Sequence, residues 1–253
     1  MPYLDRDGVR IFYEAEGDGP PVLLSHGYSA TSRMWDAQTA HLKDRYRVIR
    51  WDFRGHGESD YPDDQAAYSE TATVADMAAI LDACDVDRAV VGGLSLGGYM
   101  SLAFNLKHAA RVRALMLFDT GPGFKKDAAR DAWNENAMAR ADKLETQGLA
   151  ALSSSREVMS STHRDATGLA RAARGMLTQR DASVIQSLPA IAVPTLVLVG
   201  ADDAPFLGAT EYMAGKIPQS THVVIPDAGH AANLDQPAAF NRAVDAFLGG
   251  LAA

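Results

Sequence analysis

The pentapeptide Gly93-Leu94-Ser95-Leu96-Gly97 isolates one hydroxyl between two glycines. Ala89, Val90 and Val91 ahead of it read as a buried strand, and Tyr99, Leu102, Ala103 and Leu106 behind it form an apolar stripe at helical spacing. A serine at such a strand-to-helix turn is strained, with its Oγ exposed above the sheet edge and near the positive end of the following helix. A side chain in place of Gly93 or Gly97 would collide across the turn. A hydroxyl placed there can attack a carbonyl, but only with help. A base has to take its proton, another group has to hold that base in the right tautomer, and donors have to meet the oxyanion that develops.

Candidates for each role fall directly after strand-like runs. His230 follows Val223-Val224-Ile225 through Pro226-Asp227-Ala228-Gly229 and is the expected base. His41, His108 and His163 fall in predicted helices or at their ends, and His222 opens a strand. The carboxylate is expected from Asp202-Asp203 after the run Thr195 to Gly200, with Asp203 preferred and one of the pair capping a helix near Phe206. Asp119 also ends a strand and reads as a turn aspartate. The oxyanion donors are expected to be the backbone N–H groups of Leu96, at a helix start where amides lack partners, and of Tyr28, after His26-Gly27. The His26 side chain reads mainly as orienting its loop. With Phe124, Trp133 and Met138 it is also a candidate for lining the substrate site.

These groups need a scaffold of alternating strands and helices. Val9 to Glu16 alternates as a strand, with Asp7-Gly8 turning back to Tyr3-Leu4. Strands are also predicted at Pro21 to Ser25, Arg47 to Trp51, the run before Ser95, Val112 to Phe118, Thr195 to Gly200 and His222 to Ile225. Helices are predicted at Trp35 to Leu42, Thr71 to Cys84 with Ser69 as cap, after Ser95 to about Lys107, and Pro237 to Leu248. That alternation implies an α/β fold, a mostly parallel sheet with helices on both faces, whose ligands bind at the strand ends. Residues 121–189 break the rhythm. They are rich in alanine and arginine, and Ser154 to Glu157 has capping-box spacing. Leu169, Ala173, Met176 and Leu177 form a stripe. The segment reads as three or four short helices inserted between strands, with 1–120 and 190–253 forming the sheet domain.

A chain of 253 residues, 47% hydrophobic, can bury a full core. Its formal net charge of -8 disfavours nucleic acid and anionic membranes as partners. Cys84 is the lone cysteine and reads as a buried helical thiol, so no internal disulfide is available. The polar start of the chain lacks a signal-peptide core, and no apolar run approaches the ~18 residues of a membrane span. A cytoplasmic location is expected. The histidines lack metal-ligand spacing and no dinucleotide fingerprint is present, so no metal or cofactor is expected. The basic run Arg164, Arg171, Arg174 and Arg180 reads as a solvated helix face, with recruitment of an anionic substrate as the alternative.

Ser95, Asp203 and His230, in that order, together with His26-Gly27 and Asp52-Phe53-Arg54-Gly55-His56-Gly57, resemble the α/β-hydrolase family over roughly residues 1–120 and 190–250. The resemblance implies an eight-stranded, mostly parallel sheet, with residues 121–189 as a helical cap over the serine. Within the family, serine rather than aspartate at position 95 disfavours haloalkane dehalogenases and epoxide hydrolases. The Gly-Leu-Ser-Leu-Gly-Gly turn and the chain length are similar to bacterial serine esterases and enol-lactonases. Perhydrolases and carbon–carbon bond hydrolases share the apparatus. The expected substrate is a small-molecule ester or lactone. A relative that binds its ligand without turnover is the reading from another class.

Overall fold

The computed structural model describes residues 3–251. Strands β1 (Tyr3–Arg6), β2 (Val9–Glu16), β3 (Pro21–Ser25) and β4 (Arg47–Trp51) are followed by β5 (Ala89–Leu94), β6 (Val112–Phe118), β7 (Thr195–Gly200) and β8 (Ser220–Ile225). They form one eight-stranded sheet in the order β1-β2-β4-β3-β5-β6-β7-β8. β2 is antiparallel to both of its neighbours, and every other pairing is parallel. The parallel strands therefore all end on one edge. The turn at Asp7-Gly8 forms as expected, with Arg6 paired to Val9.

The connections are helices α1 (Asp36–Leu42), α2 (Glu70–Ala83), α3 (Leu96–His108), α8 (Ala204–Ala214) and α10 (Pro237–Gly249), with a four-residue α9 (Ala232–Asp235) before the last. Ser69 caps α2, its hydroxyl accepting from the Ala72 N–H at 3.1 Å. Alternate residues of the central strands enter two cores, which is why these strands read as unbroken apolar runs. Leu23, Ile49, Val91, Leu115 and Val197 pack with Met77, Ile80 and Leu81 of α2 and Met100 and Phe104 of α3. Val22, Val48, Val90, Met116 and Leu198 pack on the other face with Trp35 and with Phe240, Val244 and Leu248 of α10.

Between β6 and β7 the described residues form helices only: α4 (Asp127–Gln147), α5 (Arg156–Met159), α6 (Ala166–Ala172) and α7 (Ser183–Ser187). α4 is a single helix of 21 residues, longer than the short helices expected. Its buried positions are the small or apolar Ala137, Ala141 and Leu144, and most of its remaining positions are charged, polar or alanine. That narrow stripe gives little sign of helix length. The capping box at Ser154 does not form. Ser155 holds the cap position, and its hydroxyl donates to the Glu157 carboxylate at 2.5 Å instead of to a backbone group. Of the expected stripe, Leu169 of α6 and Ala173 and Met176 of the π-helical turn that follows it (Ala173–Leu177) are buried, and Leu177 is half-buried.

Candidate active site

Ser95 is the hinge between β5 and α3. Its φ of 55° and ψ of -116° lie where residues with side chains are strained. The strain is fixed by crowding. A Cβ at Gly93 would come within 2.5 Å of the Gly97 and Ser25 backbones, and one at Gly97 within 2.3 Å of the Ser25 carbonyl. The turn is also tied to the neighbouring strand end. The Ser95 N–H donates to the Phe118 carbonyl at 2.9 Å, and the Thr120 hydroxyl donates to the Ser95 carbonyl at 2.6 Å.

The next two strand ends supply the other expected groups. Asp203 stands at the start of α8 but does not cap it. Its side chain is buried, and its Oδ2 accepts from His230 Nδ1 at 2.8 Å. Asp202, the alternative, is exposed. His230 is held from several sides. Its ring stacks on Phe206 at 5.0 Å and 25°. The loop carrying it is pinned by the Gly229 N–H donating to Asp235 and by the Asp202 N–H donating to the Ala228 carbonyl, each at 2.8 Å. Burial pushes the imidazole pKa down. The hydrogen bond and charge of Asp203, with the charges of Asp119 and Glu157, outweigh burial and leave it raised above the ordinary 6.5.

Asp119 is not the partner of the histidine. It is fully buried, with its Oδ1 accepting the Gly200 N–H at 2.8 Å and its Oδ2 without a hydrogen-bond partner among the described residues. Burial, joined by the charge of Asp203, pushes its carboxyl up to about 8. It ties the end of β6 to the end of β7 beneath the Asp203–His230 pair.

The loop after β3 runs against the serine. A Cβ at Gly27 would lie 3.5 Å from the Ser95 Cβ. Tyr28 follows, its phenol donating to the Leu169 carbonyl of α6 at 2.8 Å. Leu96 is the first residue of α3, where the helix offers its N–H no carbonyl.

The structure corrects His26 as a substrate contact. The ring is 0% exposed and both nitrogens are used, Nδ1–H donating to the Gly27 carbonyl at 2.7 Å and Nε2 accepting the Phe53 N–H at 3.0 Å. Burial holds this imidazole down at about 3, hence neutral. Met138, 41% exposed on α4, remains outside both cores. Phe124 and Trp133 pack as a tilted pair with ring centroids 5.8 Å apart, and the Trp133 indole N–H donates to the Leu177 carbonyl at 2.8 Å. Phe124 lines a shallow apolar hollow of about 310 Å³ with Ile185, Ala209 and Tyr212, and none of Ser95, Asp203 or His230 lines it.

Several neighbours of the site carried no sequence signal. His163 lies in the loop between α5 and α6, outside the helices where it was expected. Its Nε2–H donates to the Ser29 carbonyl at 3.0 Å and its Nδ1 accepts the Gly57 N–H at 3.3 Å. Arg156 of α5 reaches the histidine loop, donating to the Leu234 carbonyl at 3.1 Å and pairing with Asp235 at 3.3 Å. Glu157 beside it is buried within electrostatic reach of His230. Phe206 alone was open to inference, because the third position after a helix-starting Asp203 turns back over the same end. Most of the basic run is occupied. Arg164 lies over the Tyr61 ring at 4.8 Å, Arg171 pairs with Asp63 at 3.1 Å, and Arg174 pairs with Asp142 at 2.6 Å and Glu145 at 2.5 Å.

A strained serine after β5, a carboxylate after β7 and a histidine after β8 on one sheet edge define a hydrolase architecture. The chain belongs to the alpha/beta hydrolase family, whose model matches residues 22–243. It is 30% identical to a putative 2-succinyl-6-hydroxy-2,4-cyclohexadiene-1-carboxylate synthase of Bacillus subtilis, over 96% of each chain. It is 29% identical to 3-oxoadipate enol-lactonase 1 of Acinetobacter baylyi, over 96% of this chain and 95% of that one. Among solved structures, a malate-bound thermophilic esterase from Thermogutta terrifontis superposes with a TM-score of 0.86 at 31% identity, covering 100% of this chain and 98% of that one. Among the described residues no helix is long and apolar enough to cross a membrane.

Proposed function

We propose that this enzyme is a serine-dependent carboxylic ester hydrolase that works through an acyl-enzyme on small to medium, largely apolar esters. The observation that carries the reading is the 2.8 Å bond from His230 Nδ1 to the buried Asp203 carboxylate. It fixes the tautomer with the proton on Nδ1, so Nε2 is left as the base. In this mechanism Nε2 takes the Ser95 proton as Oγ attacks the ester carbonyl. The oxyanion is met by the N–H groups of Leu96 and Tyr28. The imidazolium gives its proton to the departing alcohol, and water activated by the same nitrogen then releases the acid. Residues 121–189 serve as the cap over the serine, and Arg156 and His163 latch that cap to the base loop and to the loop after β3.

A lactone is an internal ester and passes through the same steps, and the likeness to the Acinetobacter enol-lactonase supports it as the second reading. The test is turnover of p-nitrophenyl butyrate by the purified chain. Ser95→Ala is expected to lose on the order of 10³-fold or more in kcat, with its melting temperature retained. Near-normal turnover in that variant would refute the mechanism. A panel of esters and lactones then ranks the two readings.

A further inference from the structure

Arg140 is one of several cap cations, Lys126, Lys143 and Arg180 among them, outside the ion pairs of the described residues, and it is the one that lies over Tyr28 beside the serine loop. Its guanidinium carbon lies 5.6 Å from the centre of the Tyr28 ring, and it makes no ion pair among the described residues. The α4 positions one turn away are Asn136, Ala137, Lys143 and Leu144, none of them acidic. The facing helix α6 contains no acidic residue either, and Asp165 ahead of it is used as its cap, accepting from the Thr167 and Gly168 N–H groups. Arg174 also acts on Tyr28, but Asp142 and Glu145 already hold its guanidinium.

The position of Arg140 follows from the Tyr28 loop. Gly27 lies against the Ser95 side chain, Tyr28 comes next, and the bond from its phenol to Leu169 holds the ring up against the cap. Burial raises the phenol well above its ordinary value, so the ring is neutral and offers Arg140 a π face and no charge. A guanidinium held by its face keeps its N–H edge free for a planar, two-oxygen acceptor. Arg140 itself is exposed.

We propose that Arg140 selects substrates whose acyl chain ends in a carboxylate, gripping that far end while the ester carbonyl sits at Ser95. The preferred substrates are then half-esters, or lactones, of dicarboxylic acids. This deepens the ester reading and rests on it. A chain of net charge -8 repels anions at long range, so a local unpaired cation is what would admit one.

The test compares p-nitrophenyl hydrogen glutarate with the neutral p-nitrophenyl valerate on the full chain, as wild type, Arg140→Gln and Arg140→Lys. Arg140→Gln is expected to lower kcat/KM for the glutarate ester about tenfold, mostly through KM, the scale of one charge-assisted hydrogen bond. The valerate ester should change by no more than about twofold. Arg140→Lys should recover part of the loss, and added salt should narrow the wild-type preference for the anion. Equal loss on both esters, or no loss on either, overturns the proposal while leaving the hydrolase reading intact. A folded wild-type chain inert toward both esters overturns the hydrolase reading and this proposal with it.

Discussion

His230 is set by opposing forces. Burial favours the neutral ring, and the Asp203 carboxylate 2.8 Å away favours the charged one. The carboxylate side prevails and the pKa is raised, so in the proposed mechanism the base is lost as pH falls through a value above 6.5. The acid limb of kcat/KM is therefore expected to have its midpoint above 6.5 in the wild type. Asp203→Asn should move that midpoint to lower pH and cost on the order of 10³-fold or more in rate. A pH profile with an unmoved limb would sever the link between the two residues. At this scale the sequence was informative, because Ser95, Asp203 and His230 each follow a recognisable strand. His26 was not legible in the same way. A histidine beside a catalytic loop reads alike whether it faces a substrate or, as here, spends both nitrogens on its own backbone.

The loops after β3 and β4 are held by imidazoles. His26, His56 and His163 lie ring to ring, with centroids 5.1 Å apart for the first pair and 5.7 Å for the second, and all three are buried. Each accepts one backbone N–H: from Phe53 for His26, Ser29 for His56 and Gly57 for His163. Protonation would turn those acceptors into donors, and burial lowers all three pKa values. The folded state therefore takes up these protons later than the unfolded chain. Their contribution is complete above 6.5 and is lost as pH falls below it, toward about 3 in the case of His26. His163→Leu is expected to cost about 2 kcal/mol or more at neutral pH, because it strands the Gly57 N–H and the Ser29 carbonyl. It should also flatten the fall in stability between those pH limits. Urea titrations at several pH values read both effects, and an unchanged unfolding midpoint at neutral pH would count against the clamp. The strands and helices of the sheet domain were clear from periodicity. Clamps between distant loops were not, since Ser29 and His163 meet only through tertiary structure.

Across the molecule, residues 121–189 do not stand apart. Ala141, Leu144, Leu169, Ala170, Met176 and Ile185 belong to the same buried cluster as the sheet residues Leu23, Val91 and Leu115. A cap built into that core should not melt independently. Calorimetry is expected to give one transition whose calorimetric and van't Hoff enthalpies agree, and two resolved transitions would show that the cap has a core of its own. The break in strand rhythm after Phe118 located this block in the sequence. Its internal layout was hidden because alanine and arginine suit helices of any length, and because its buried stripe is made largely of alanines.

The order of the strands bears on how such a chain comes alive as it is made. β8 is the last strand of the sheet to be synthesised, and it occupies an outer edge of the sheet, paired only with β7. The loop it leads into carries His230. Under the proposed mechanism, a nascent chain that has already built its nucleophile and its carboxylate still lacks a base. Reactivity then arrives only when the final strand docks and its loop brings His230 to the sheet edge.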